Sequence, residues 1–130
     1  MNNRRGLMIA LGASLLVRPF ASLAQQVTAH RVGILSTASA ADSPNIQVFL
    51  QGMNTLGWTD GQNIFVEYRY AEGNVDRLPT LALDLAQSKV EVIVTLGGTA
   101  TLAAKRAAGV IPIVFITVID PVSMGFVKNL

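Results

Sequence analysis

Val90 to Val118 reads VEVIVTLGGTATLAAKRAAGVIPIVFITV, and the rest of the chain repeats its pattern. VEVIVTL is almost unbroken in apolar, largely β-branched residues, as a strand covered on both faces should be. Gly97 and Gly98 interrupt it. Thr99 to Ala108 is rich in alanine, carries Lys105 and Arg106 where cations suit the negative end of a helix, and is stopped by Gly109. IPIVFITV is a second apolar strand, with Pro112 near its start, where a missing N–H costs least. Strand, helix and strand in this order predict a crossover between parallel neighbours.

The same alternation extends back toward the N-terminus. RVGILS, Arg31 to Ser36, is a short apolar strand followed by small polar loop residues. Pro44 then opens a helix behind an Asp42 or Ser43 cap. Ile46, Phe49, Leu50, Met53 and Leu56 recur at helical spacing on one face, and Gly57 ends the run. After the turn residues TDGQN, Ile64, Val66, Tyr68 and Tyr70 alternate with Phe65, Glu67 and Arg69. Period two with charges on one side predicts a half-buried strand at a sheet edge. Asp76 is placed to cap a second helix, with Pro79 in its first turn and Leu78, Leu81, Ala82 and Leu85 facing inward.

The order β-α-β-α-β-α-β predicts an α/β fold, a doubly wound parallel sheet with the flavodoxin-like strand order 2-1-3-4. Ligands of such sheets sit beyond the carboxyl ends of the strands, where the strand order switches. Three segments are expected to converge there: Ser36 and Thr37, Gly97 to Thr99, and Asp120 with Pro121, which also opens a fourth helix.

Composition narrows the function. The chain has 130 residues, of which 51% are hydrophobic and 14% charged, so one folded domain is expected rather than a disordered chain. The net charge of +2 owes much to Arg4, Arg5 and Arg18 in the first 24 residues; beyond them seven basic residues face eight acidic ones. No basic stripe with interleaved aromatics is present, which argues against nucleic acid as a partner. Cysteine is absent, excluding disulfides, thiolate metal sites and cysteine nucleophiles. The N-terminus has the three parts of a secretory signal peptide: MNNRRG, the apolar core Leu7 to Val17, and Ser22-Leu23-Ala24 before a cut that leaves Gln25 first. Its apolar core is shorter than the roughly 20 residues a membrane-spanning helix needs. Export to the periplasm follows, with residues 1–24 removed and no cysteine to carry a lipid anchor.

The candidate chemistry is that of binding. LGGTATLA matches neither G-x-G-x-x-G nor G-x-x-x-x-G-K-[ST], so both phosphate fingerprints fail. The glycines can bring a ligand close to the backbone with Thr99 offering a hydroxyl, or they can form a plain loop with a threonine cap. Asp120 can bind an amine, a hydroxyl or a metal, or can cap the helix that begins at Pro121. In the ligand-binding reading, a carboxylate meets the helix start at Thr99 and an amine meets Asp120, which suits an amino-acid-like zwitterion. His30 precedes the first strand, at the end of the sheet opposite this site, and has no clustered partners. No nucleophile–base pair, carboxylate dyad or metal cluster can be assembled, so no enzyme, metal or cofactor is expected.

Three stretches together resemble the periplasmic substrate-binding proteins of ABC transporters, specifically the tryptophan/tyrosine type. They are GQNIFVEYRYAEG (Gly61–Gly73), AAKRA (Ala103–Ala107) and IPIVFITVIDPV (Ile111–Val122). The resemblance implies a two-lobed fold of the type I periplasmic-binding-protein kind, closing on a small molecule that is handed to a membrane permease. Residues 25–130 would be part of the N-terminal lobe, with the second lobe absent. By position, Ser36, Thr37, Gly97, Gly98, Thr99 and Asp120 would be this lobe's share of the cleft. Two alternatives share the fold: an exported flavodoxin-like domain binding a flavin or nucleotide, and the ligand-sensing domain of a receptor.

Overall fold

A computed structural model describes residues 29–116 and 120–128; the signal peptide expected over residues 1–24 lies outside the described residues. The strands are β1 (His30–Ser36), β2 (Ile64–Tyr70), β3 (Val92–Leu96) and β4 (Ile113–Ile116), and the helices α1 (Pro44–Thr55), α2 (Leu78–Gln87) and α3 (Gly98–Ala107). All pairings are parallel and the sheet order is β2-β1-β3-β4, as the sequence predicts. Crossing from β2 through β1 to β3 makes β1 the strand at which the order switches.

The period of two along β1 and β3 divides the core between the faces of the sheet. Val32, Ile34, Val94 and Leu96 point toward α1, meeting Ile46 with Phe49 and Leu50. Leu35 and Ile93 point to the opposite face, where they meet Leu78, Ala82 and Leu85 of α2 and the alanines of α3. Helices therefore cover both faces, and each nearly continuous apolar strand serves two cores. Gly33 is the closest approach: a Cβ there would lie 3.0 Å from Leu85 Cδ2, so the glycine lets α2 settle onto β1.

The edge strand β2 behaves as its alternation requires. Val66, Tyr68 and Tyr70 pack beside the α1 core, while Glu67 and Arg69 occupy the other face. There Arg31 pairs with Glu67 and Arg69 Nε donates to Asp84 of α2 at 2.6 Å. The Arg31 hydrogen bond holds the Glu67 carboxyl below its usual range, outweighing its desolvation.

Local endings differ from the sequence reading in several places. Leu56 is 76% exposed and falls outside α1, because Gly57 (φ 91°) has already turned the chain away. Asp76 caps nothing: Asn74 caps instead, its side chain accepting from Asp76 N at 3.1 Å across a 3-10 turn over Val75–Arg77 that precedes α2. Helix α3 begins at Gly98 with Gly97 at its N-cap, so Thr99 lies inside the helix. Of the expected fourth strand, Thr117 and Val118 lie outside the described residues. Asp120 to Val127 form successive turns rather than the start of a fourth helix, Asp120 itself being left-handed at φ 53°.

Candidate functional site

The loops after β1 and β3 meet where the strand order switches. They enclose, with the start of α1, a cavity of about 150 Å³ lined by Ser36, Thr37, Gly97 and the Asp42–Asn45 segment, with Leu96 as an apolar wall. Each wall has a physical origin. Gly97 has φ 93° and ψ 152°, a conformation essentially confined to glycine. A Cβ on it would lie 3.4 Å from Thr37 Oγ1, an ordinary contact distance, so the backbone conformation rather than lack of space is what calls for glycine here.

The strand-to-helix corner below Gly97 is braced from inside. Thr95 and Thr101, both buried, share a hydroxyl–hydroxyl hydrogen bond of 2.7 Å, and Thr101 Oγ1 lies 2.9 Å from Gly97 O, its acceptor. These bonds fix where the end of β3 releases the chain into α3. The β1 loop is tied on its other side: Gly73 N donates to Thr37 O at 2.8 Å and Ala71 N to Ser36 O at 2.9 Å. Both loops are thus held by backbone and buried hydroxyl bonds, a preorganised frame for a ligand.

Ser36 is 1% exposed, and among the described residues its hydroxyl makes one hydrogen bond, accepting from Ala38 N at 3.1 Å. Ser43 stands at the N-cap of α1 without capping it, because its hydroxyl donates to Ser39 O at 2.7 Å. Neither Asp42 nor Ser43 therefore supplies the expected side-chain cap, and the positive end of α1 is left facing the cavity.

The six residues expected at the site separate into groups. Ser36, Thr37 and Gly97 line the cavity together. Gly98 is adjacent in sequence but lies under Met124: a Cβ there would come within 2.7 Å of Met124 Cε. Thr99 instead lines a larger, mainly apolar groove of about 400 Å³ between α2 and α3, with Leu78, Leu83, Leu102 and Arg106. Asp120 is exposed and caps its own turn, accepting from Ser123 N at 3.1 Å. The backbone and side chain of Ser123 hold its carboxyl below the usual carboxylate range.

Asp42 and Asn45 were not anticipated as lining residues. The sequence signal was there: Asp42-Ser43-Pro44-Asn45 starts a helix at the carboxyl end of β1, where site residues concentrate. His30 sits at the opposite end of the sheet, as expected, with Nδ1 2.8 Å from Glu91 and its ring edge-on to Trp58. Among the described residues no group of three or more His, Asp or Glu side chains could hold a metal ion, and no helix is long and apolar enough to cross a membrane.

A parallel sheet of this order, with helices on both faces and a polar cavity at its strand ends, is a doubly wound α/β lobe. The chain belongs to the family of ABC transporter substrate binding proteins, whose model matches residues 33–130. A tyrosine-binding protein of Clostridioides difficile is 29% identical over 82 residues, covering 63% of this chain and 24% of that protein.

Solved structures agree on the fold. The ligand-free, open form of a Clostridium difficile substrate-binding protein with adhesive properties matches with a TM-score of 0.72 and 26% identity, over 78% of this chain and 35% of that one. A conserved domain protein from Vibrio cholerae matches with a TM-score of 0.74 and 28% identity over 79% and 35%. An ABC domain from Streptococcus pneumonia in complex with L-Trp shares the fold at a TM-score of 0.67 and 20% identity, over the same shares. The chain thus spans about a third or less of the length of these relatives.

Proposed function

We propose that this chain is the N-terminal-lobe portion, over residues 25–130, of an extracytoplasmic solute-binding component of an ABC transporter. It captures a small metabolite of amino-acid type for a membrane permease. The observation that carries the reading is the cavity at the switch between β1 and β3, where Ser36, Thr37 and Gly97 present hydroxyls and close-approach backbone to a ligand. Such groups suit a small carboxylate, and the tyrosine-binding relative supports an amino acid as the class. Gly98, Thr99 and Asp120, also expected at the cleft, line no part of this cavity and carry no part of the reading. The absence of either phosphate fingerprint around Gly97 disfavours a flavin or nucleotide.

Calorimetric titration of the full-length gene product with amino acids, nucleotides and flavins tests the ligand class. Saturable binding of an amino acid is expected; binding of a nucleotide or flavin alone contradicts the reading. Export is tested separately, by N-terminal sequencing of the protein recovered outside the cytoplasm. It should begin at Gln25, and an intact Met1 confined to the cytoplasm would rule export out.

A further inference from the structure

We propose that Asp42, rather than Asp120, is the carboxylate that takes the ammonium group of the ligand. The inference rests on reading the cavity as an amino-acid site and goes beyond it by assigning the ligand's polarity. Asp42 lines the cavity shared by Ser36, Thr37 and Gly97; Asp120 does not.

Each carboxylate has one oxygen engaged within its own turn, so what separates the two is that only Asp42 lines the cavity. Asp120 Oδ1 is engaged by Ser123 N, closing the turn that follows it. Asp42 is fixed by Ser39, whose hydroxyl donates to Oδ2 at 2.7 Å while Asp42 N lies 3.2 Å from both Ser39 O and Ser39 Oγ. That ring holds the carboxylate in place and leaves Oδ1 without a hydrogen-bond partner among the described residues. Arg31, Arg69 and Arg77, the arginines of β1, β2 and the turn before α2, are paired with Glu67, Asp84 and Glu72. None of these cations lines the cavity, so an incoming ammonium would be the cationic partner of Asp42.

The opposite wall supplies donors. The buried Ser36 hydroxyl accepts one hydrogen bond and has its proton to give, and Thr37 stands beside it against Gly97. With its ammonium toward Asp42, a zwitterion brings its carboxylate toward Ser36, Thr37 and Gly97, and the formal charge of Asp42 outweighs the partial charge of the α1 N-terminus beside it. The reverse orientation would set two carboxylates against each other.

The experiment uses the full-length gene product and two probes, the tightest-binding common amino acid and its deaminated analogue, which keeps the carboxylate and side chain. Asp42→Asn keeps an acceptor for Ser39 and removes the charge. It should weaken the amino acid about tenfold or more while changing the analogue far less, since a charge-assisted bond is lost only with the former. Asp120→Asn should leave both within about twofold, the change expected of a group outside the cavity. Equal losses for both probes in Asp42→Asn, no loss at all, or a selective loss in Asp120→Asn would each overturn the assignment. If Asp42→Asn does not fold, as judged by its melting curve, Asp42→Ser provides the same comparison. Failure of every amino acid to bind the unaltered protein would instead remove the amino-acid reading, and the assignment with it.

Discussion

Gly97 concentrates the requirements of the site in one residue. Its backbone lies where side chains are strained, and its missing Cβ faces Thr37. Gly97→Ala should cost about 1–3 kcal/mol of stability from backbone strain, measured by denaturant unfolding. Unchanged stability would show that the corner can relax, and would weaken the case for a preorganised loop. Tyr68 makes a second prediction at this scale. Burial first, then the nearby Asp60 charge, pushes its hydroxyl up to about 12 from 10.0. A raised folded-state pKa means that the stability contribution is complete below the unfolded value and is lost as pH rises toward the folded one. Stability should therefore fall between pH 10 and about 12, and Tyr68→Phe should lessen that fall. Titration of tyrosinate absorbance in a Tyr70→Phe background checks it directly; ionisation near 10 would contradict the burial argument.

Between elements, the packing of α2 on β1 turns on Gly33 and Leu85. Leu85 is fully buried, and a Cβ on Gly33 would press on its side chain at 3.0 Å. Gly33→Ala should destabilise the protein, whereas in a Leu85→Ala background the same change should cost less, because the new methyl enters the space vacated. A coupling of about 0.5–3 kcal/mol is expected from unfolding of the four proteins of the cycle. Strict additivity would mean that the two elements do not meet there. These elements were legible in the sequence because burial on two faces or one leaves a period that survives without coordinates, as β3 and β2 show. Their ends were not. Asn74 displaces Asp76 as a cap, and Ser43 spends its hydroxyl on Ser39, because a cap is decided by local backbone geometry rather than by residue type.

The whole molecule repeats that division. The rule that ligands gather at the carboxyl ends of parallel strands pointed to Ser36, Thr37 and Gly97, which share one cavity. It could not show that Met124 folds back onto Gly98, or that Thr99 turns toward the α2–α3 groove, since both depend on packing between separate segments. Asp42 escaped notice because its position beside a helix start explained it too readily. The central claim is that the switch-point cavity, and not the larger apolar groove, receives the solute. The most direct measurement is a crystal structure of the full-length gene product with its best-binding amino acid. The ligand should lie within hydrogen-bond distance of Ser36, Thr37 or Gly97. A ligand seated instead between α2 and α3, against Leu83 and Leu102, would contradict the account.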